Sequence, residues 1–287
     1  MKNFEDLIKS ASFKKSTVVV AAATCPSVIS ACSLAYEKGL SNFILVGNKL
    51  EIEKITTKFE VIDEPDTVKA VDKAVSLVKG GVAQSLMKGL CETSTILKAV
   101  LNKESGIRTN KKLSHLAAFE VPTYHKLLFV TDAAINISPN IDDKKDILEN
   151  SVNALNKLGL TPKVALLAAK EVLDAKMPVT LEYEQIVKQH ENGFLKNSII
   201  EGPLALDNAI SLDSCKIKGI ETKVGGDVDL LFAPNIESGN ILYKSLSFLA
   251  NAKTAGIVLG AARPIILTSR SDSVSSKLTS IALSLVF

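Results

Sequence analysis

Residues Pro264-Ile265-Ile266-Leu267-Thr268 run directly into Ser269-Arg270-Ser271-Asp272. The branched apolar run predicts a strand buried on both faces. A hydroxyl, a guanidinium and a carboxylate follow where that strand would meet its loop. In α/β proteins ligands bind outside the carboxyl ends of strands, and an arginine there is a natural partner for phosphate or carboxylate. The tract therefore predicts an α/β fold with an anion-binding site. Each polar residue also has a plainer role open to it. Asp272 is placed to cap a final helix, Ser269 to act as a turn hydroxyl, and Arg270 to bridge to a surface acid.

The same pattern recurs outward along the chain. Runs rich in Val, Ile and Leu, without alternation, predict further strands at 17–23, 42–46, 82–87, 127–131, 163–168, 229–232 and 257–259. Helices fall between them. Pro26 opens one that closes at Lys38-Gly39. Residues 142–158 put Leu148, Val152 and Leu155 on one stripe and stop at Gly159, and the last helix aligns Val274, Leu278, Ile281 and Leu285. Such alternation means an α/β fold with a largely parallel sheet. The polar stretch 102–114 marks a crossing between two domains, and a second near 256–264 returns the last strand and helix to the first. The expected division is 1–112 plus 258–287, and 113–257.

A length of 287 residues suits one large or two modest domains. Net charge is only +3, no basic run stands out, and Trp is absent, which argues against nucleic acid as a partner. Cys25, Cys32, Cys91 and Cys215 form no Cys-x-x-Cys pair and have no histidine at metal-ligand spacing. No apolar stretch reaches membrane-spanning length, and the polar, acidic start does not read as a signal peptide. A cytoplasmic protein with reduced thiols and no membrane contact is expected. There is no P-loop and no acidic triad for a metal. The glycines from Gly219 to Gly226 have the wrong spacing for a dinucleotide fingerprint.

Two more junctions carry chemistry. In the first, Ser85-Leu86-Met87-Lys88-Gly89 leads through Glu92-Thr93-Ser94 into a helix to about 101. Lys88 falls just past the strand, Thr93 or Ser94 can cap the helix, and its free N–H groups favour an anion. Ser94 and Lys98 share a face. The bland alternative is an ordinary cap and a solvated lysine. In the second, Asp229 to Asn240 leads into a helix running to 251, with Asn240 and Lys244 on one face and Gly239 permitting close backbone approach. There the alternative is Asn240 as a cap and Lys244 exposed. Asp132 and Asn136 end another strand, where they serve either a ligand or a turn. Ser114-His115 can bring an imidazole near a cleft; His125 and His190 have no partner pattern.

Taken in order, these tracts resemble the phosphate acetyl/butyryltransferase family. The matching stretches are Leu86-Met87-Lys88-Gly89 with Thr93 and Lys98, Leu113-Ser114-His115, residues 130–136, 158–164 and 201–207, residues 233–240 with Tyr243-Lys244, and Ala255-Gly256 through Arg270. The resemblance implies two doubly wound α/β domains with an interdomain cleft, similar to isocitrate and isopropylmalate dehydrogenases. It implies reversible transfer of a short acyl group, butyryl or similar, between coenzyme A and inorganic phosphate. No metal or redox cofactor is implied, and the assembly would be a homo-oligomer. The acetyl-transferring relatives carry a Ser-Arg pair that matches Ser269-Arg270, and an Asp, proposed as the base, seven residues after the serine. Here that position is Ser276, and the nearest acid is Asp272. An active-site arginine of those relatives corresponds to Lys98, which keeps the charge without the bidentate fork. The implied catalytic set is Ser269, Arg270 and Asp272. Substrate contacts are implied for Lys88, Gly89, Thr93, Lys98, Ser114, Asp132, Asn136, Gly239, Asn240 and Lys244. Competing readings are a phosphate acetyltransferase, a dehydrogenase of the same fold (whose metal-ligand and nicotinamide patterns are missing), and a non-catalytic small-molecule binding protein.

Overall fold

The computed structural model describes residues 1–11, 16–269 and 272–287, so Arg270 lies outside the described residues. The chain begins with α1 (Phe4–Ala11), β1 (Thr17–Ala21), α2 (Pro26–Glu37), β2 (Asn42–Gly47), α3 (Lys49–Glu53) and β3 (Glu60–Asp63). It continues through α4 (Thr67–Lys79), β4 (Ser85–Lys88), α5 (Thr93–Val100), β5 (Ser114–Glu120), β6 (Leu128–Thr131), α6 (Ile141–Lys157) and β7 (Lys163–Leu167). Then come α7 (Pro178–Glu191), β8 (Ile199–Leu204), α8 (Leu206–Ile210), α9 (Leu212–Lys218), β9 (Leu230–Phe232) and α10 (Ile236–Lys244), with a π-helical turn over Ser245–Leu249. The last elements are β10 (Lys253–Leu259), β11 (Ile265–Ile266) and α11 (Val274–Leu285). Among the described residues no helix is long and apolar enough to cross a membrane.

Two compact units result, Asn3–Lys112 with Thr254–Phe287, and Leu113–Lys253. In the first, the strands lie in the order β3-β2-β1-β4-β11-β10. All neighbours there are parallel except β10 and β11. In the second the order is β5-β6-β9-β7-β8, parallel except for β5 and β6. Strand residues Val18–Ala21 and Leu86–Met87 are almost fully buried. That is the environment their Val/Leu-rich runs predict.

The opening tract forms a shorter ladder than its composition suggests. Only Ile265 and Ile266 pair, with Leu86 and Met87 on one side, and Ile265 also faces Val258 on the other. Three strands carry no clear sequence signal. β3 is an edge strand whose pattern runs from exposed to intermediate. β5 is built from small and polar residues, Ser-His-Leu-Ala-Ala-Phe-Glu. β8 contains Gly202-Pro203, a pair that is tolerated because β8 is also an edge.

The amino ends of the second unit's strands are tied by charge. Lys126 Nζ lies 2.6 Å from Asp229 and 2.9 Å from Asp227, Lys163 Nζ lies 2.7 Å from Asp227, and His125 Nε2 lies 2.8 Å from it. Burial alone would raise the Asp227 carboxyl, but hydrogen bonds from Lys163, Lys126 and His125 outweigh it and hold the group well below the usual carboxylate range. A depressed folded value means the contribution is fully present above the unfolded value, about pH 4, and is lost as pH falls below that toward the folded value. Asp227→Asn should therefore lower the urea midpoint at neutral pH and flatten the decline of stability between about pH 4 and 2. An acid limb identical to that of the unaltered protein would contradict this role.

Candidate active site

In the first unit β4 lies between β1 and β11, parallel to both, so three carboxyl ends and their loops meet at one edge of the sheet. Lys88 closes β4 as its last residue rather than following it, and is only 6% exposed. Its ammonium donates to Cys91 O at 3.3 Å and Gly89 O at 3.5 Å. Gly89 must be glycine: its N–H donates to Ala21 O at 2.8 Å, and a Cβ would stand 2.3 Å from Ala22 O.

Beyond β11 the Ser269 N–H donates to Asp272 Oδ2 at 2.7 Å, and the Asp272 N–H donates back to Ser269 O at 3.2 Å. Asp272 thus closes a turn instead of capping the final helix. Ser273 is the cap, accepting from the Ser276 N–H at 3.0 Å. Arg270 lies outside the described residues. The Ser276 hydroxyl lies 3.0 Å from Ser273 Oγ and 3.3 Å from Thr254 Oγ1.

Three residues of this edge escaped the sequence reading. Thr268 is 6% exposed, and its hydroxyl has no hydrogen-bond partner among the described residues. Lys277 is 1% exposed, and its ammonium donates to the Asp272 carbonyl. A signal existed for it: Lys277 is the one charged residue of α11 and sits inside the apolar stripe. Cys25 is the third, at the cap position of α2 with its sulfur 3.4 Å from Ser27 Oγ. Burial alone would raise its thiol. The Ser27 hydroxyl, the Val28 and Ser27 N–H groups and the Lys277 charge outweigh burial and bring it below the ordinary value. Cys32, fully buried, is pushed far upward instead.

Thr93 and Lys98 lie exposed on α5, whose cap position is Glu92 and carries no side-chain cap bond. Neither Thr93 nor Ser94 is the cap that the sequence suggested. Of the second unit's candidates, Asp132, Asn136, Gly239 and Asn240 meet around the loop that follows β6. Asp132 accepts from the N–H groups of Ala134, Ile135 and Asn136 and from Asn136 Nδ2 at 2.6 Å. Asn136 Nδ2 also donates to Leu113 O at 2.8 Å. Asn150 donates to the buried Ser114 hydroxyl at 3.0 Å. Helix α10 starts earlier than expected because Asn235, not Asn240, caps it by accepting from Ser238 N–H at 3.0 Å. Asn240 instead donates to Ala133 O at 3.0 Å, and a Cβ on Gly239 would meet Asp132 O at 2.1 Å. Lys244 is exposed with its ammonium about 5.5 Å from the Tyr243 and Phe248 ring centroids.

A cavity of about 690 Å³ belongs to the second unit, and none of these candidates lines it. Its walls include Leu167, Met177, Leu206 and Ile241, and its one buried cation, Lys144, is neutralised by Glu182. A smaller polar cleft of about 240 Å³ crosses the carboxyl ends of β1, β2 and β3 in the first unit, lined by Thr24, Asn48, Glu64 and Leu90. Anion chemistry needs positive charge without a paired carboxylate, which among the described residues Lys88 and Lys277 supply at the strand ends of the first unit and Lys144 in the larger cavity does not. With iodoacetamide at neutral pH, Cys25 should be alkylated first among the four thiols, and Cys25→Ser should remove the fast phase. Prior labelling of Cys32 would contradict the charge arrangement at this edge.

The family model described as phosphate acetyl/butaryl transferase matches residues 57–285. The phosphate butyryltransferase of Clostridium acetobutylicum is 42% identical over 99% of this chain and 97% of its own length. A branched-chain phosphotransacylase from Enterococcus faecalis superposes with a TM-score of 0.86 at 34% identity, covering 94% of this chain and 98% of its own. The 4-hydroxythreonine-4-phosphate dehydrogenase of Klebsiella pneumoniae, at 15% identity and a TM-score of 0.58 over 96% of this chain and all of its own, shares the fold alone.

Proposed function

The chain belongs to the phosphate acetyl/butaryl transferase family, and from that premise we propose that it transfers a short acyl group, butyryl or similar, reversibly between coenzyme A and inorganic phosphate. The observation that carries the reading within this chain is Lys88. Its buried ammonium stands at the carboxyl end of β4, next to β11, with two carbonyls as its hydrogen-bond partners among the described residues.

In this reaction an oxygen of hydrogen phosphate attacks the thioester carbonyl carbon. The carbonyl becomes a tetrahedral oxyanion, the C–S bond then breaks, and the thiolate leaves with the electron pair. The proton of hydrogen phosphate ends on the coenzyme A sulfur. A thiol value near 8.5 makes the leaving group good without strong acid help. The harder tasks are bringing one anion to another and stabilising the oxyanion, which fixed positive charge and positioning accomplish. Arg270 holds phosphate or the developing oxyanion, and Ser269 hydrogen-bonds the carbonyl oxygen or the thiolate. Lys88 adds charge from below, and Gly89 allows close backbone approach. The exposed Thr93 and Lys98 add anion affinity in the first unit, and the exposed Lys244 adds it in the second.

Asp272 fixes the turn through its bond to Ser269 N–H, which leaves its part as a base to experiment. Ser114, Asp132, Asn136, Gly239 and Asn240 act as the frame of the second unit, a role supported by their internal partners. No metal or redox cofactor takes part, since the thioester is already activated. A cytoplasmic location fits four cysteines that form no disulfide. The exposed Ile241, Phe248 and Leu249 offer a homo-oligomer an apolar face.

Free coenzyme A should appear from butyryl-CoA only when phosphate is present, and a series from acetyl- to isobutyryl-CoA gives the chain-length preference. Arg270→Gln should cut turnover by about 100-fold or more in a folded protein; near-normal turnover would sink its assignment. An Asp272→Asn variant with the unaltered pH–rate profile would remove Asp272 as base.

A further inference from the structure

Lys277 stands in the first turn of α11, its N–H donating to Ser273 O at 3.1 Å. Three conditions make an ammonium costly there. It is 1% exposed, and removing a charge from water is expensive without a counterion. It lies near the amino end of a 12-residue helix, where the dipole is positive and favours anions. No carboxylate pairs with it among the described residues, and its one acceptor is the Asp272 carbonyl. Side chains in a helix lean toward the amino end, so the ammonium is carried back to the edge where β11 ends. Its charge is also felt at Cys25, beyond β1. β4, ending in Lys88, lies between those two strands. Lys88 is also buried, at 6% exposed, and also lacks a carboxylate among the described residues. The buried Thr268 hydroxyl, also at this edge, lacks a partner.

We propose that Lys277, Lys88 and Thr268 form a seat for inorganic phosphate at the carboxyl ends of β4 and β11, with Lys277 as a direct phosphate ligand. The two ammonium groups remain uncompensated until a tetrahedral oxyanion arrives, and the Thr268 hydroxyl gains its partner at the same time. Phosphate as the occupant rests on the acyl-transfer reading above. The seat itself rests on the charges and the unsatisfied hydroxyl.

The test is the thermal midpoint of the full chain and of three variants, in chloride buffer, with added orthophosphate at matched ionic strength, and with coenzyme A. The unaltered protein should gain stability with phosphate but not with chloride. Lys277→Met should match or exceed the unaltered midpoint in chloride, because a costly charge is gone. It should need about tenfold or more phosphate for the same rise, the effect of losing one charged hydrogen bond, and keep its response to coenzyme A. Lys277→Arg should recover the phosphate response. A lower chloride midpoint with an unchanged phosphate response would mean that Lys277 only fastens the Asp272 turn, and would overturn the proposal. Loss of the coenzyme A response alone would assign the charge to the coenzyme and also overturn it. Should Lys277→Met not fold, Thr268→Val decides: an equal or higher chloride midpoint with a weakened phosphate response supports the seat, and an unchanged response refutes it. Activity enters none of these readouts, so a chain that released no coenzyme A would count against acyl transfer and not against the seat.

Discussion

An ammonium group at the end of a buried strand is the constraint around which the first unit is organised. Lys88 occupies the last position of β4 with its neighbours on either side nearly sealed from water. Among the described residues its ammonium bonds to two loop carbonyls. Those carbonyls point inward because the chain turns sharply at Gly89, where its N–H and that of Leu90 bond to Ala21 O and Ala22 O and no Cβ fits. A buried cation so placed lowers stability while empty and gains it when an anion binds. Folding therefore stores an electrostatic preference for anionic ligands at this edge.

The two ends of the strands in these units are treated differently. At the amino ends of β6, β7 and β9, Lys126 and Lys163 meet Asp227 and Asp229 directly. Within the apolar-walled cavity of the second unit, Lys144 has its own carboxylate in Glu182. Those lysines are compensated and act on stability. Lys88 and Lys277 have carbonyl partners instead, and for acyl transfer between two anions such charges are useful. In the role proposed for them, they draw phosphate in and offset the charge that develops on the carbonyl oxygen.

Much of the fold was legible because strands buried on both faces must be apolar throughout. Thr17–Ala21, Asn42–Gly47 and Lys163–Leu167 follow from their Val, Ile and Leu runs. β3 and β8 were hidden because edge strands tolerate polar ends and a Gly-Pro pair, and β5 because small residues carry no strand signal. Helix starts were the least legible feature. Asn235 and Ser273 cap where Asn240 and Asp272 were expected, since several residues in each loop are competent and only the chain's path selects one. Lys277 was concealed by the reasoning that found its helix: a stripe at 274, 278, 281 and 285 accounts for the core face without it. Asp132 and Asn136 looked equally suited to a ligand or a turn, and their mutual bond and loop contacts supply the turn.

The most direct measurement is calorimetric titration of orthophosphate into the chain without acyl-CoA, repeated with Lys88→Met. Lys88 as the anchoring charge predicts saturable binding at one site per chain and its loss in the folded variant. Equal binding by the two proteins, or none by the unaltered chain, would contradict the claim that this strand end is built to hold phosphate.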